Sequence, residues 1–261
     1  MNSKAASLTA ATASLVDCSA DQDTEQEVPI SVDPLPNGAY LLSNVTITEN
    51  GETGVKTREQ IKIYTQGKFM YAFDNESTGD MDVGAGNAIW SNGTMTEEPR
   101  VNHDGPVSGC SFDIAIKQTE TGFEQILYGM KYDDGRVLDT MVEVWDLASS
   151  ATTPFDGLWK LVSRETDNSE LTDFSETKMI GGGHFVTLQS AMLKGEKIRN
   201  FGFGTFELSE EGAVLETGMV GSWDNYTGCA IEVKMQLIDE NHLAQSFTLN
   251  NSLVTQIYVR M

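Results

Sequence analysis

Basic residues are scarce in this chain: 17 lysines and arginines stand against 39 acidic residues, for a formal net charge of -22. Such a surface repels phosphate backbones and anionic headgroups, so neither nucleic acid nor a membrane surface is an expected partner. The acidity reads first as a device for solubility. No apolar run reaches the roughly 18 residues that a membrane-spanning helix needs, so a soluble protein is expected. Cysteine is almost missing as well. Cys18, Cys110 and Cys229 form no Cys-x-x-Cys pair and have no histidine at ligand spacing, which argues against a metal site and a disulfide framework. An odd count leaves one thiol free in a monomer, and the apolar alternation after Cys110 and Cys229 reads both as buried free thiols. Histidine occurs three times, at 103, 184 and 242, never beside a recognisable nucleophile.

What is present is a repeat. Gly93, Glu97, Gly109 and Cys110 correspond to Gly212, Glu216, Gly228 and Cys229, each 119 positions later, and Tyr40 corresponds in the same way to Trp159. A copy of that length has the size of a small domain. The small, polar stretch 149–153 before Pro154 reads as a linker. Two units are therefore expected, at 34–148 and 154–261. They follow a leader over 1–33, rich in Ala, Ser, Thr, Asp and Glu, that reads as disordered or loosely helical. The polar character of residues 5–16 argues against a secretory signal and favours the cytoplasm over secretion, with a trimmed export signal as the alternative.

The dominant periodicity is two. In residues 110–117, Cys110, Phe112, Ile114 and Ile116 alternate with small or charged residues, and Cys229, Ile231, Val233, Met235 and Leu237 repeat the pattern. Further strands are expected at 39–47, 60–73, 87–90, 93–98, 123–132 and 139–147. In the second copy they fall at 158–164, 177–189, 203–208, 213–220, 243–249 and 254–260. Turn signals such as Glu49-Asn50-Gly51 and Glu210-Glu211-Gly212 separate them. Short strands at this spacing predict an all-β protein of two tandem antiparallel up-and-down β-barrels, since closure removes exposed edges.

Gly157-Leu158-Trp159 on a first strand, with Arg260 late in the last one, resembles the lipocalin-like, or calycin, proteins. That resemblance implies that Arg260 stacks on Trp159 as a structural barrel-end pair. Copy one departs from it, with Tyr40 for the tryptophan and Asp146-Leu147 opposite Val259-Arg260, which points to a more open first cavity. The ordered set Gly67-Lys68-Phe69, Gly84-Ala85-Gly86, Met95-Thr96-Glu97 and its counterpart Gly183-His184-Phe185, Gly202-Phe203-Gly204, Val214-Leu215-Glu216 resembles small bacterial lipocalin-like domains. Neither Gly-x-Gly precedes a helix, so the glycines read as bulges or close strand crossings rather than a phosphate cradle.

Glu97 and Glu216 share a strand face with apolar neighbours and are expected to point inward, where a carboxylate must be paired or neutral. Together with His184 they are the candidates for acid–base chemistry. The rings expected to line the cavities are Trp90, Phe112, Tyr128, Trp145, Phe203, Trp223, Phe247 and Tyr258. The resulting expectation is a binding protein for a small hydrophobic molecule. The alternative is a cofactor-independent isomerase or cyclase acting on a hydrophobic substrate. Neither reading calls for a cofactor or a metal, and a homodimer is compatible with both.

Overall fold

The computed structural model describes residues 37–75, 79–91, 94–131, 137–167 and 170–261, so the leader expected over 1–33 lies outside the described residues. Among the described residues there are strands and turns but no helix. The first half comprises β1 Gly38–Glu49, β2 Glu52–Lys56, β3 Gln60–Thr65, β4 Lys68–Asn75, β5 Asp80–Ser91, β6 Thr94–Asn102, β7 Gly105–Pro106, β8 Phe112–Gln118, β9 Gly122–Lys131 and β10 Val137–Ser149. The second comprises β11 Gly157–Thr166, β12 Leu171–Gly181, β13 His184–Leu193, β14 Glu196–Leu208, β15 Val214–Gly221, β16 Ala230–Leu237, β17 His242–Leu249 and β18 Ser252–Arg260.

In the first half β10 pairs back onto β1 and closes the ring β1-β3-β4-β5-β6-β8-β9-β10. Strand β2 continues the β3 position along the far half of β1, and β7 is a spur on β6. The second half closes β11 through β18 in sequence order. The protein is thus all-β, with two tandem closed barrels of eight antiparallel strand positions each.

Two stretches expected as single strands are hairpins. Residues 60–73 turn at Gln66 and Gly67, with φ of 50° and 71°, and residues 177–189 turn at Gly182 and Gly183, with φ of 60° and 62°. Two successive left-handed residues make the tight turn whose twist suits a hairpin. The second glycine of each Gly-x-Gly stands at a register shift, between Ala85 and Gly86 and between Phe203 and Gly204, as a bulge requires.

The barrels share a core. Ile61, Ile63, Met70, Ala72, Val83 and Ala85 of the first barrel pack with Leu158, Met179, Val186, Leu188, Phe201 and Phe203 of the second. Strand β3 is consequently buried along its whole length. Arg199 of β14 ties the flank, with Nη2 2.8 Å from Asp80 Oδ2. Phe203, expected as cavity lining, belongs to this seam. Alternation marks two faces of a strand but not which one looks into the barrel when both are apolar.

The thiols also differ from expectation. Cys110 is disulfide-bonded rather than free, and Cys229 is free but exposed.

Phe203→Ala should lower the unfolding free energy by about 3–5 kcal/mol in urea titrations, because the seam cannot collapse around the lost ring. A loss under about 1 kcal/mol would mean the barrels do not pack there.

Candidate functional site

Lys62 sits in the middle of β3, between Ile61 and Ile63. Those two isoleucines enter the seam, so alternation turns Lys62, with Gln60 and Tyr64, into the first barrel. Its ammonium lies 3.0 and 3.3 Å from the two carboxylate oxygens of Glu97 and donates to Gln125 Oε1 at 2.9 Å. Tyr64 Oη donates to the same Glu97 carboxylate. Four rings surround the ammonium: Trp145, Tyr64, Phe69 and Tyr71, with centroids 5.5, 5.7, 5.8 and 5.9 Å away.

The second barrel repeats the arrangement. Lys178 Nζ donates to Glu216 Oε1 at 2.6 Å and to Gln245 Oε1 at 3.1 Å, 5.4 Å from the Phe185 centroid. Gln245 Nε2 in turn donates to Gln256 Oε1 and Tyr258 Oη. Inward glutamates were expected; the lysines that pair with them were not. Their signal was a lysine inside an apolar run in both copies, Lys62 and Lys178, at one offset from the aligned Gly67 and Gly183. Next to each triad the copies exchange a carboxylate for an amide. Gln60 and Glu143 in the first barrel correspond to Glu176 and Gln256 in the second.

Those carboxylates are held differently. Glu143 Oε1 is 3.3 Å from Arg58 Nη2, and Arg58 Nε donates to Gln60 Oε1 at 2.6 Å while its guanidinium lies 3.8 Å from the Phe73 centroid. Glu176 accepts from Thr187 Oγ1 at 2.7 Å, Gln256 Nε2 at 2.9 Å and Gln189 Nε2 at 3.2 Å. Burial nevertheless pushes its carboxyl pKa up, against the pull of Lys178 and the hydroxyl and amide donors.

The copies part company in how their interiors are filled. A cavity of about 410 Å³ occupies the first barrel, with Lys62, Glu97 and Gln125 at its floor and Thr57, Arg58 and Glu59 at its mouth. Phe112, Leu127, Met130 and Met141 form one wall. The opposite wall is a row of rings on β4. Tyr71 stacks between Phe69 and Phe73, at centroid distances of 6.4 and 6.5 Å. The other end is closed by Tyr40, edge-on to Phe123 at 4.9 Å, and burial pushes its hydroxyl pKa up to about 12.

In the second barrel the β15–β16 loop brings Tyr226 inward. Its ring lies against Gly202, Gly218 and Gly221, where any side chain would come within 2.5 to 2.9 Å of it. Its hydroxyl is buried without a hydrogen-bond partner, and burial, then Glu216, push its pKa up. The corresponding connection of the first barrel, which includes β7, has Val107 at the same 119-residue offset. A separate depression of about 500 Å³ lies where β11 and β12 part, lined by Leu161, Arg164 and Phe174 among others, and includes no member of the Lys178 network. At the closed end of this barrel the Arg260 guanidinium lies 4.1 Å from the Trp159 centroid. Its Nη1 donates to Asp156 O and to Gln66 Oε1 of the first barrel.

Of the other residues singled out from sequence, Phe112 lines the cavity and Trp145 is fully buried near the Lys62 ammonium. Trp90 packs with the apolar group around Tyr40, and Phe247 and Tyr258 lie inside the second barrel. Trp223 stands beside Tyr226, 5.2 Å between ring centroids. Tyr128 is 43% exposed and lines no cavity, because it falls on the outer face of β9. His184 donates from Nδ1 to Gly182 O at 2.7 Å, on the face of β13 opposite Phe185. The rings of β4 were missed because 60–73 read as one strand. Among the described residues no three His, Cys, Asp or Glu side chains are placed to hold a metal ion. No protein-family model matches the chain, and no curated protein matches it in sequence.

Lys62→Met leaves Glu97 buried without its cation and should cost about 3–5 kcal/mol of stability, read by urea unfolding. An unchanged midpoint would show that the pair carries no structural weight. Glu176 supplies a pH signature. Its folded pKa is raised, so between the unfolded value of about 4.3 and the folded one the native state holds the extra proton, and stability falls as pH rises. The stability of the wild type relative to Glu176→Gln should therefore decline from pH 4 towards neutrality; a difference that stays constant or grows would contradict the assignment.

Proposed function

We propose that the first barrel binds one small molecule with an apolar, ring-bearing body, and that the second barrel is the scaffold on which it is mounted. The observation that carries this reading is a contrast between two copies of one architecture: the first couples a cavity to a row of rings, Phe69, Tyr71 and Phe73, where the second has Thr187 and Gln189 for the last two. A volume of about 410 Å³ suits a ligand of one or two rings. The lipocalin-like resemblance of the Gly-x-Trp and late arginine supports the same reading, as do the two closed barrels.

The Lys–Glu–Gln triad belongs to the scaffold on this view, because the filled barrel keeps it. The isomerase or cyclase alternative draws less support. The Glu97 oxygens are already engaged by Lys62 and Tyr64 rather than free to meet a substrate. His184 belongs to the other barrel.

Titration with the neutral fluorophore N-phenyl-1-naphthylamine should saturate at one equivalent per chain. Met141→Trp, which fills the cavity wall, should abolish it, and Tyr226→Ala should raise the stoichiometry to two. Two equivalents in the wild type, or binding unchanged by Met141→Trp, would overturn the proposal.

A further inference from the structure

Residues present in the open copy and replaced in the filled one are those a ligand can account for. Aligned on their shared glycines, Tyr71 and Phe73 correspond to Thr187 and Gln189, and Asp82 corresponds to Asn200. Asp82 opens β5 beside the ring row, lines the cavity and is 8% exposed. Among the described residues one side-chain hydrogen bond reaches it, from Tyr71 Oη at 3.1 Å, and His103 Nδ1 stands 3.9 Å away. An ionised carboxylate can accept about four hydrogen bonds. The buried carboxylate of the second copy, Glu176, is served by side-chain donors from Thr187, Gln189, Gln256 and Tyr258.

The other buried charges facing the cavity are matched. Lys62 is paired with Glu97 and Arg58 with Glu143. Asp82 has weaker partners, His103 at the edge of ion-pair range and Arg58 further off, under a chain of net charge -22 that concentrates cations around itself.

We propose that the ligand of the first barrel is a protonated organic amine on an aromatic or alkyl body, its ammonium held by the Asp82 carboxylate beside the Tyr71 ring. This rests on the cavity reading above and adds the charge of the ligand to it. An ammonium beside a ring face is attracted by its quadrupole, and next to a poorly solvated carboxylate it supplies a closer counter-charge than His103 does. Burial also pushes the Asp82 carboxyl pKa up, a shift that an arriving cation reverses. An anionic ligand of the same shape meets Asp82 in the wall, while at the mouth Lys56 and Arg58 stand against Glu59 and Asp74.

Calorimetry with phenethylamine, 2-phenylethanol and phenylacetate at neutral pH separates the claims. The amine should bind about tenfold or more tightly than the alcohol, with phenylacetate weakest, and Asp82→Asn should bring amine and alcohol together. Equal binding of amine and alcohol in the wild type would overturn the charge assignment and leave the cavity reading standing. An amine preference that survives Asp82→Asn would trace it to the acidic surface and overturn the Asp82 role. If none of the three binds and N-phenyl-1-naphthylamine does not either, both readings fall.

Discussion

An ammonium group inside a β-barrel has few ways to exist, and this chain builds it twice. Lys62 and Lys178 are 3% and 2% exposed, and each is held by a glutamate and a glutamine from strands far along the chain. Taking the charges from water costs several kcal/mol per ion, which the ion pair and its hydrogen bonds only approximately offset. What the triad contributes is register. Sliding β3 by one residue would drive Lys62 into the apolar seam and turn Ile61 and Ile63 towards Glu97, exchanging a satisfied charge for an unsatisfied one. The same holds for Lys178 between Thr177 and Met179. The seam and the interiors therefore fix one another, since the face that packs barrel on barrel is chosen by where the lysine must go.

Upon that shared frame the copies have diverged in what fills the space above the triad. One loop position, Val107 in the first copy and Tyr226 in the second, decides whether a ring enters from the chain itself. Three glycines in β14 and β15 make room for that ring. In the first copy the rings come from β4 instead and stand along a wall, leaving the centre open. The filled barrel also carries the complete closed end, with Arg260 over Trp159, and reaches across with Arg260 to Gln66.

Much of the architecture was legible from residues alone. The equal offsets of Gly93, Glu97 and Cys110 from their partners announced two units, and period-two alternation in β8 and β16 announced strands. The inward glutamates followed from the same alternation. Three things were hidden, each for a physical reason. A hairpin inside a continuous apolar pattern leaves little trace when its turn is Gln66-Gly67. A strand buried on both faces does not declare which face is the barrel interior, so Phe203 was placed on the wrong one. A buried lysine looks in sequence like any solvated lysine until its glutamate is known to be opposite.

On this reading one barrel is open and its twin is filled by its own tyrosine. A crystal structure of the protein soaked with a brominated phenol, measured at the bromine absorption edge, tests it most directly. One anomalous peak is expected within the first barrel, between the rings of β4 and Phe112, and none beside Lys178. Peaks of equal height in both barrels, or a peak beside Tyr226 alone, would contradict it.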